Sequence, residues 1–278
     1  MTISDKILKN RGENALNYKR AELKGEVKAS IREAKPKPAW VTLVLLAILM
    51  VLQALYMSID GEWDAMAAML ASLVQTGSYT YVEPAGTAST FGSILCFTLS
   101  LMSILLMVGY CLYCLRVSRR AKASFGDLFD SFGFFLRSLW IFILRNFLLF
   151  LWALIYAFPA AYMVYTTGQE TWYVIGLPLL LPEVIAFYAY RQGVYLMLDN
   201  PTMSCAQCLR ASSKVMRGHK WEVFKLDLSF LGWILLSMIP FVCLWTVPYM
   251  NITFAAYYDA RMADYRIQTA PPVQPPES

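Results

Sequence analysis

The chain has 278 residues, of which 58% are apolar and only 15% charged, against about 45–50% and about 25% in an ordinary soluble domain. That balance excludes a soluble globule. The apolar residues gather in runs of about twenty or more, each long enough at about 1.5 Å per residue to cross a hydrocarbon layer about 30 Å thick, so the expected class is an all-α, polytopic helical membrane bundle.

In chain order, residues 1–38 carry ten Lys and Arg and no apolar core, which does not fit a signal peptide. Ser4 to Ala34 is rich in helix formers and stops at Pro36 and Pro38, a surface helix broken at Gly12 or Gly25. The first apolar run is Ala39 to Ile59. Asp60 to Thr90 then holds Asp60, Glu62, Asp64 and Glu83 and no basic residue. Within it Met66, Met69, Leu70 and Leu73 recur at helical spacing, which predicts a short helix over 64–75 lying on the membrane surface. Thr76 to Thr90 reads as loop.

The second run, Phe91 to Leu115, carries Gly92, Cys96, Ser100 and Ser103 on one face, a small-residue stripe expected to pack closely on other spans. Arg116 to Ser138 holds Arg116, Arg119, Arg120, Lys122 and Arg137 against Asp127 and Asp130. Phe125, Leu128, Phe129, Phe132 and Leu136 fall together there with the two acids elsewhere, so 124–138 reads as an interfacial amphipathic helix feeding the third run, Leu139 to Tyr165. Thr166 to Thr171 has Glu170 as its one charge; the fourth run is Trp172 to Leu198; Asp199 to Lys225 has five basic residues. This alternation obeys the positive-inside rule, placing the N-terminus, 116–138 and 199–225 in the cytoplasm. The net charge of +5 is thus a sum over two oppositely biased sides, which favours an anionic phospholipid leaflet as neighbour over nucleic acid.

Leu226 to Tyr258 is too long for one perpendicular span and is interrupted by Pro240 and Pro248. A hairpin of about Phe224 to Ile239 and Cys243 to Tyr258 makes about six membrane segments with a cytoplasmic C-terminus; the alternative is one long tilted helix, five segments and an external C-terminus. The resulting division is a basic arm (1–38), a membrane domain (39–260) and a disordered, proline-rich tail (261–278).

The most informative stretch is Asp199 to Trp233. Asn200, Pro201 and Thr202 make a turn, and Ser204 with Gln207 three residues on forms a capping-box pattern. In the helix that follows, Arg210, Lys214 and Arg217 share one side, opposite Cys205, Cys208, Leu209, Ser212, Val215 and Met216. Gly218 supplies a left-handed stop, with His219 and Lys220 beyond it. The product is a basic amphipathic helix suited to anionic lipid or a membrane protein partner, each Lys or Arg contributing on the order of 1 kcal/mol near such a surface.

Around these residues the chain resembles a bacterial family of integral membrane proteins known as domain of unknown function 975. The resemblance rests on Asp199-Asn200-Pro201, Ala211-Ser212, Met216-Arg217-Gly218-His219-Lys220-Trp221, Phe224, Leu228-Ser229-Phe230-Leu231-Gly232-Trp233, Leu244-Trp245, Pro248-Tyr249 and Phe254 to Tyr258. Where the family often has Pro-Gly ahead of the basic helix, this chain has Pro182-Glu183. The resemblance implies a multi-pass protein of the bacterial plasma membrane and implies no reaction, substrate or cofactor.

Charges inside the apolar runs are the remaining candidates, because an ionised group in hydrocarbon is expensive and usually functional. Glu183 is the deepest acid, and after Pro178 and Pro182 it also suits the first turn of a half-helix. Arg191 lies roughly 12 Å further along the axis and about 80° round, so it cannot pair locally with Glu183. Arg145 and Asp227 are available from other helices. Interhelical ion pairs are the first expectation; a polar pathway for an ion or lipid headgroup is the alternative. His219 is the only histidine, which removes Ser-His-Asp, Cys-His and two-His metal chemistry within one chain. The pairs Cys111/Cys114 and Cys205/Cys208 sit on helices and read as small buried residues, with no metal or cofactor expected. The resulting expectation is a non-enzymatic scaffold or modulator, the alternative a small transporter or lipid translocator using Glu183 and Arg191.

Overall fold

A computed structural model of the protein describes residues 20–76, 90–168, 181–239 and 241–269, and the regular structure among them is helical throughout. The elements are α1 (Arg20–Glu33), α2 (Pro38–Asp60), α3 (Glu62–Thr76), α4 (Thr90–Ser118), α5 (Asp127–Asp130), a 3-10 turn (Ser131–Phe134), α6 (Phe135–Thr167), α7 (Leu181–Tyr190), α8 (Gly193–Asp199), α9 (Cys205–Val215), α10 (Lys220–Leu228), α11 (Leu231–Ser237) and α12 (Cys243–Thr269). Three stretches are long and apolar enough to cross a membrane: Pro38–Ile59, Phe91–Ser118 and Asp127–Thr167. They contain the first three apolar runs read from the sequence. The fourth run is divided: 172–180 lies outside the described residues, and the rest breaks at Arg191 and Gln192 into α7 and α8.

The core is gathered at one end of the bundle. Helix α4 packs against α1, α2, α5, α6, α8 and α12, yet its buried residues, from Leu105 and Leu106 through Tyr110, Tyr113 and Cys114 to Val117, all lie in its second half. Tyr110 shares a 2.8 Å hydrogen bond with Thr42 of α2, and Tyr113 donates to the Pro36 carbonyl at 2.9 Å. Away from this end Phe91, Phe97, Phe158 and Tyr165 are exposed. Large apolar side chains so placed are costly in water and neutral in hydrocarbon.

Several expectations change in three dimensions. The N-terminal helix is more than a surface arm: α1 buries Leu23, Val27 and Ser30 against α12 and α4. Burying Leu23 and Val27 stabilises the docked helix by about 1.5–3 kcal/mol each. The break expected at Gly25 does not occur, since α1 runs through it, and Gly12 falls in 1–19, outside the described residues. The stretch 124–138 is a single turn of α5, a 3-10 turn and the start of α6. Its exposure does not follow a single apolar face, since Phe125, Phe129 and Leu136 are exposed while Leu128 is buried, and of the two acids Asp127 is buried and Asp130 exposed. Arg116 pairs with the buried Asp127 at 2.5 Å and with Asp130, which stays exposed, at 3.2 Å.

A close backbone approach lies outside the small-residue stripe. Ser100 stays exposed and bonds its own helix at Cys96. The backbones meet at Gly109, where an added Cβ would lie 2.1 Å from the Leu128 carbonyl oxygen. Beside it Ser131 donates to the Leu105 carbonyl at 2.8 Å.

At the C-terminal end the helix stops at Ser237 and restarts at Cys243, the interruption expected around Pro240, which is itself outside the described residues. The proposed tail boundary at 261 is too early, because α12 runs on to Thr269. Ala256, Ala260 and Ala263, at i, i+4 and i+7, are buried and carry the packed face past Tyr258. Residues 270–278 lie outside the described residues.

Candidate functional site

Helix α9 begins as its sequence dictates. The Gln207 amide donates to Ser204 Oγ at 3.3 Å and the Ser204 amide to Gln207 Oε1 at 2.9 Å, which satisfies two amides that a helix start leaves free. Arg137 at the start of α6 holds the preceding turn by donating to the carbonyls of Asn200, Pro201 and Met203 at 2.5, 2.6 and 2.7 Å. The apolar side is buried as expected: Cys205, Cys208, Leu209, Ser212 and Val215, with Ser212 donating to the Ala189 carbonyl of α7 at 2.7 Å. Its rotation about its axis is thereby set. Arg210, Lys214 and Arg217 are exposed, and none of the three has an ion pair among the described residues. Gly218 takes φ of 83°, a left-handed turn that residues with a Cβ rarely adopt, and the chain enters α10.

The turn at Gly218 brings His219 against Arg261 in the last third of α12. His219 Nδ1 lies 2.9 Å from Arg261 Nη1 and 3.2 Å from Glu222 Oε1. It accepts from the arginine only when unprotonated, and donates to the carboxylate only when protonated, so it serves one partner at a time. Arg261 is 4% exposed and pairs with Asp264 at 3.0 Å and Glu222 at 3.7 Å. Its Nε is buried with no acceptor among the described residues. Burial raises the Asp264 carboxyl above its ordinary range, a shift that Arg261 and His219 oppose and Glu222 reinforces. Lys214, Arg217 and His219 on one side and Arg261, Asp264 and Tyr265 on the other line a cavity of about 180 Å³.

The charges within the apolar runs separate into paired and unpaired. Arg191, in the break between α7 and α8, pairs with Asp227 of α10 at 2.5 Å, and its guanidinium lies 4.0 Å from the Phe254 ring centroid, a favourable cation–π stack. This is the interhelical pair available from the sequence. Glu183 stands in the first turn of α7, where the helix dipole favours a carboxylate. Arg145 has no carboxylate partner among the described residues; its Nε is buried without an acceptor, and its guanidinium lies 5.6 Å from the Phe142 ring.

A second, half-buried cluster carries no single signal in the sequence. Arg119, just past α4, grips Asp199 with Nη1 and Nη2 at 2.7 and 2.6 Å. Its Nε and Nη2 reach Asp259 Oδ1 at 3.0 and 2.6 Å. Tyr258 donates to Asp199 at 2.8 Å and Ser118 to Asp259 at 3.2 Å. Burial raises the Asp259 carboxyl, which the Arg119 hydrogen bonds oppose and the Asp199 charge reinforces. One fork-shaped cation thus ties together the ends of α4 and α8 and the middle of α12. Asp199 opens the Asp-Asn-Pro motif, so a signal was present; Asp259 looked uninformative because its charge cancels against Arg261 in any count along the chain.

The two Cys-x-x-Cys pairs stay on α4 and α9 as free thiols, and among the described residues no group of three or more metal-ligating side chains comes together. No curated protein and no solved structure matches the chain. The profile of a family described as protein of unknown function DUF975 matches residues 17–263, a stretch that includes the Arg119 and Arg191 clusters and all of the cavity lining except Asp264 and Tyr265, and the chain belongs to that family.

Proposed function

We propose that the protein is a non-enzymatic scaffold or modulator of the bacterial plasma membrane, with its N-terminus in the cytoplasm. On this reading the Arg210, Lys214, Arg217, His219 and Lys220 surface faces the inner leaflet and holds anionic phospholipid or a membrane protein partner. The observation that carries the reading is α9 itself. Its apolar side is locked against α7 and α6, while Arg210, Lys214 and Arg217 are exposed and unpaired. Cations fixed in this way by the fold need no reorganisation before meeting an anionic surface.

The test is lipid selectivity of the full chain in nanodiscs of mixed anionic and neutral lipid, read by the lipid that co-purifies. At on the order of 1 kcal/mol per basic residue, R210Q/K214Q/R217Q together should reduce anionic enrichment by about tenfold or more. Enrichment unchanged by the triple substitution, or none in the parent protein, rejects the reading.

Transport of an ion or headgroup is favoured by one observation, the buried Arg145 Nε without an acceptor. The pairing of Arg191 with Asp227 weighs against it, since a pathway needs groups able to exchange partners. Proteoliposome flux abolished by both Glu183→Gln and Arg145→Gln would establish transport through these residues; flux absent from the parent would dismiss transport, and flux surviving both changes would dismiss this pathway.

A further inference from the structure

We infer that the cavity between the end of α9 and the last third of α12 is a binding site for a phosphate monoester group, with Arg261 as its buried anchor and Lys214 and Arg217 at its mouth. The inference deepens the proposed basic surface and rests on that reading, but it concerns a recess with its own chemistry.

Three observations converge. First, Lys214, Arg217 and Arg261 line the cavity with Asp264 as the lining carboxylate, so the lining holds an excess of positive charge. Glu222, which also pairs with Arg261, is outside the lining. Second, Arg261 is 4% exposed and its Nε is buried with no acceptor. A guanidinium N–H buried without an acceptor is costly, and native structures usually relieve it with water or a ligand oxygen. Third, Arg261 donates to His219 Nδ1 at 2.9 Å. In that state the imidazole proton is on Nε2, which makes a cavity-lining ring a further donor.

The set discriminates among anions. A phosphate monoester presents three terminal oxygens and close to two negative charges, enough to meet the buried guanidinium and the two outer cations together. A phosphodiester has two terminal oxygens and substituents on both sides, and fits the exposed stripe better than the recess. Phosphate borne by a lipid headgroup and phosphate borne by a soluble metabolite share this chemistry.

The experiment uses the full chain in two settings. In nanodiscs, phosphatidic acid is compared with phosphatidylglycerol at equal mole fraction in a neutral background. In detergent, inorganic phosphate is titrated against chloride at matched ionic strength, and the shift in thermal unfolding gives the affinity. Preference for phosphatidic acid over phosphatidylglycerol identifies a lipid source, and a phosphate-specific shift in detergent a soluble one; either supports the site. In the responsive setting, Lys214→Gln/Arg217→Gln and, separately, Arg261→Lys should each weaken binding by about tenfold, the loss of one or two charge-assisted hydrogen bonds.

The exposed pair serves as the decisive variant, since Arg261→Lys also disturbs the Asp264 and Glu222 contacts. The inference is overturned if phosphatidic acid equals phosphatidylglycerol and phosphate equals chloride, or if K214Q/R217Q changes nothing. Failure of the surface reading looks different: phosphatidylglycerol is then no better held than neutral lipid, while a phosphate-specific shift in detergent can persist.

Discussion

Arg119→Met is expected to lower stability by about 2–4 kcal/mol, below the roughly 3–5 kcal/mol typical when one partner of a fully buried pair is removed, because Arg119 is partly exposed and water screens part of the loss. The substitution keeps much of the stem's packing and deletes the fork that holds Asp199 and Asp259. Those carboxylates are 16% and 12% exposed in their side chains, so water replaces the lost donors only in part, and Tyr258 and Ser118 are left as their remaining side-chain donors. The measurement is thermal unfolding in detergent followed by tryptophan fluorescence, with the exposed Arg210→Met as control. A loss no greater than that of the control would show that the cluster does not hold the helix ends together.

The same variant carries a pH signature. The Asp259 carboxyl is already raised by burial, with Arg119 opposing that rise. Without Arg119 it rises further above its unfolded value, so the folded variant binds a proton more readily than the unfolded chain. Stability of the variant is then gained as pH falls through the raised Asp259 value and lost above it. The gap between variant and parent should therefore narrow in acid. Asp259→Asn in the Arg119→Met background should close part of that gap at neutral pH, by removing one uncompensated charge.

Gly109→Ala is expected to destabilise by about 1–3 kcal/mol, the cost of overpacking a tight contact. Its Cβ would fall 2.1 Å from the Leu128 oxygen, 2.6 Å from the Leu128 carbonyl carbon and 2.9 Å from the Asp127 oxygen. All three are backbone atoms, so α5 itself must move, straining the Arg116–Asp127 pair and the Ser131 bond to Leu105. Gly193→Ala is the matched comparison. There the closest atom, at 2.6 Å, is Leu209 Cδ2, the end of a side chain that can turn aside, so the cost should be roughly 1 kcal/mol or less. Unfolding midpoints of the two variants test this directly, and a larger loss for Gly193→Ala would reverse the assignment of the close contact.

These two variants mark the border of what could be read without a structure. Gly109 sits in an apolar run with nothing in the sequence to distinguish it from Gly92, and it lies outside the small-residue stripe from Gly92 to Ser103. Which turn of α4 meets another backbone depends on where Arg116 pulls Asp127, an interaction eleven residues long in sequence and across a reversal in chain direction. Arg119, Asp199 and Asp259 are separated by 80 and 140 positions for the pairs that matter, beyond any periodicity or local spacing. The Arg191–Asp227 pair was easier, because a charge inside an apolar run must find an opposite one and few were available.

The sequence by itself determined the helical class, the extent of the three long apolar helices, the capping box at Ser204 and the buried and exposed sides of α9. Each depends on interactions within a few residues or on the hydropathy of one continuous segment, and such terms are legible in order along the chain. Only the tertiary structure decided that α1 docks into the core, that 124–138 buries Asp127, that α12 continues to Thr269, and that Arg261 closes a cavity beneath Lys214 and Arg217. Those outcomes follow from pairing groups far apart in sequence, where a buried charge is tolerated only if the fold delivers its partner.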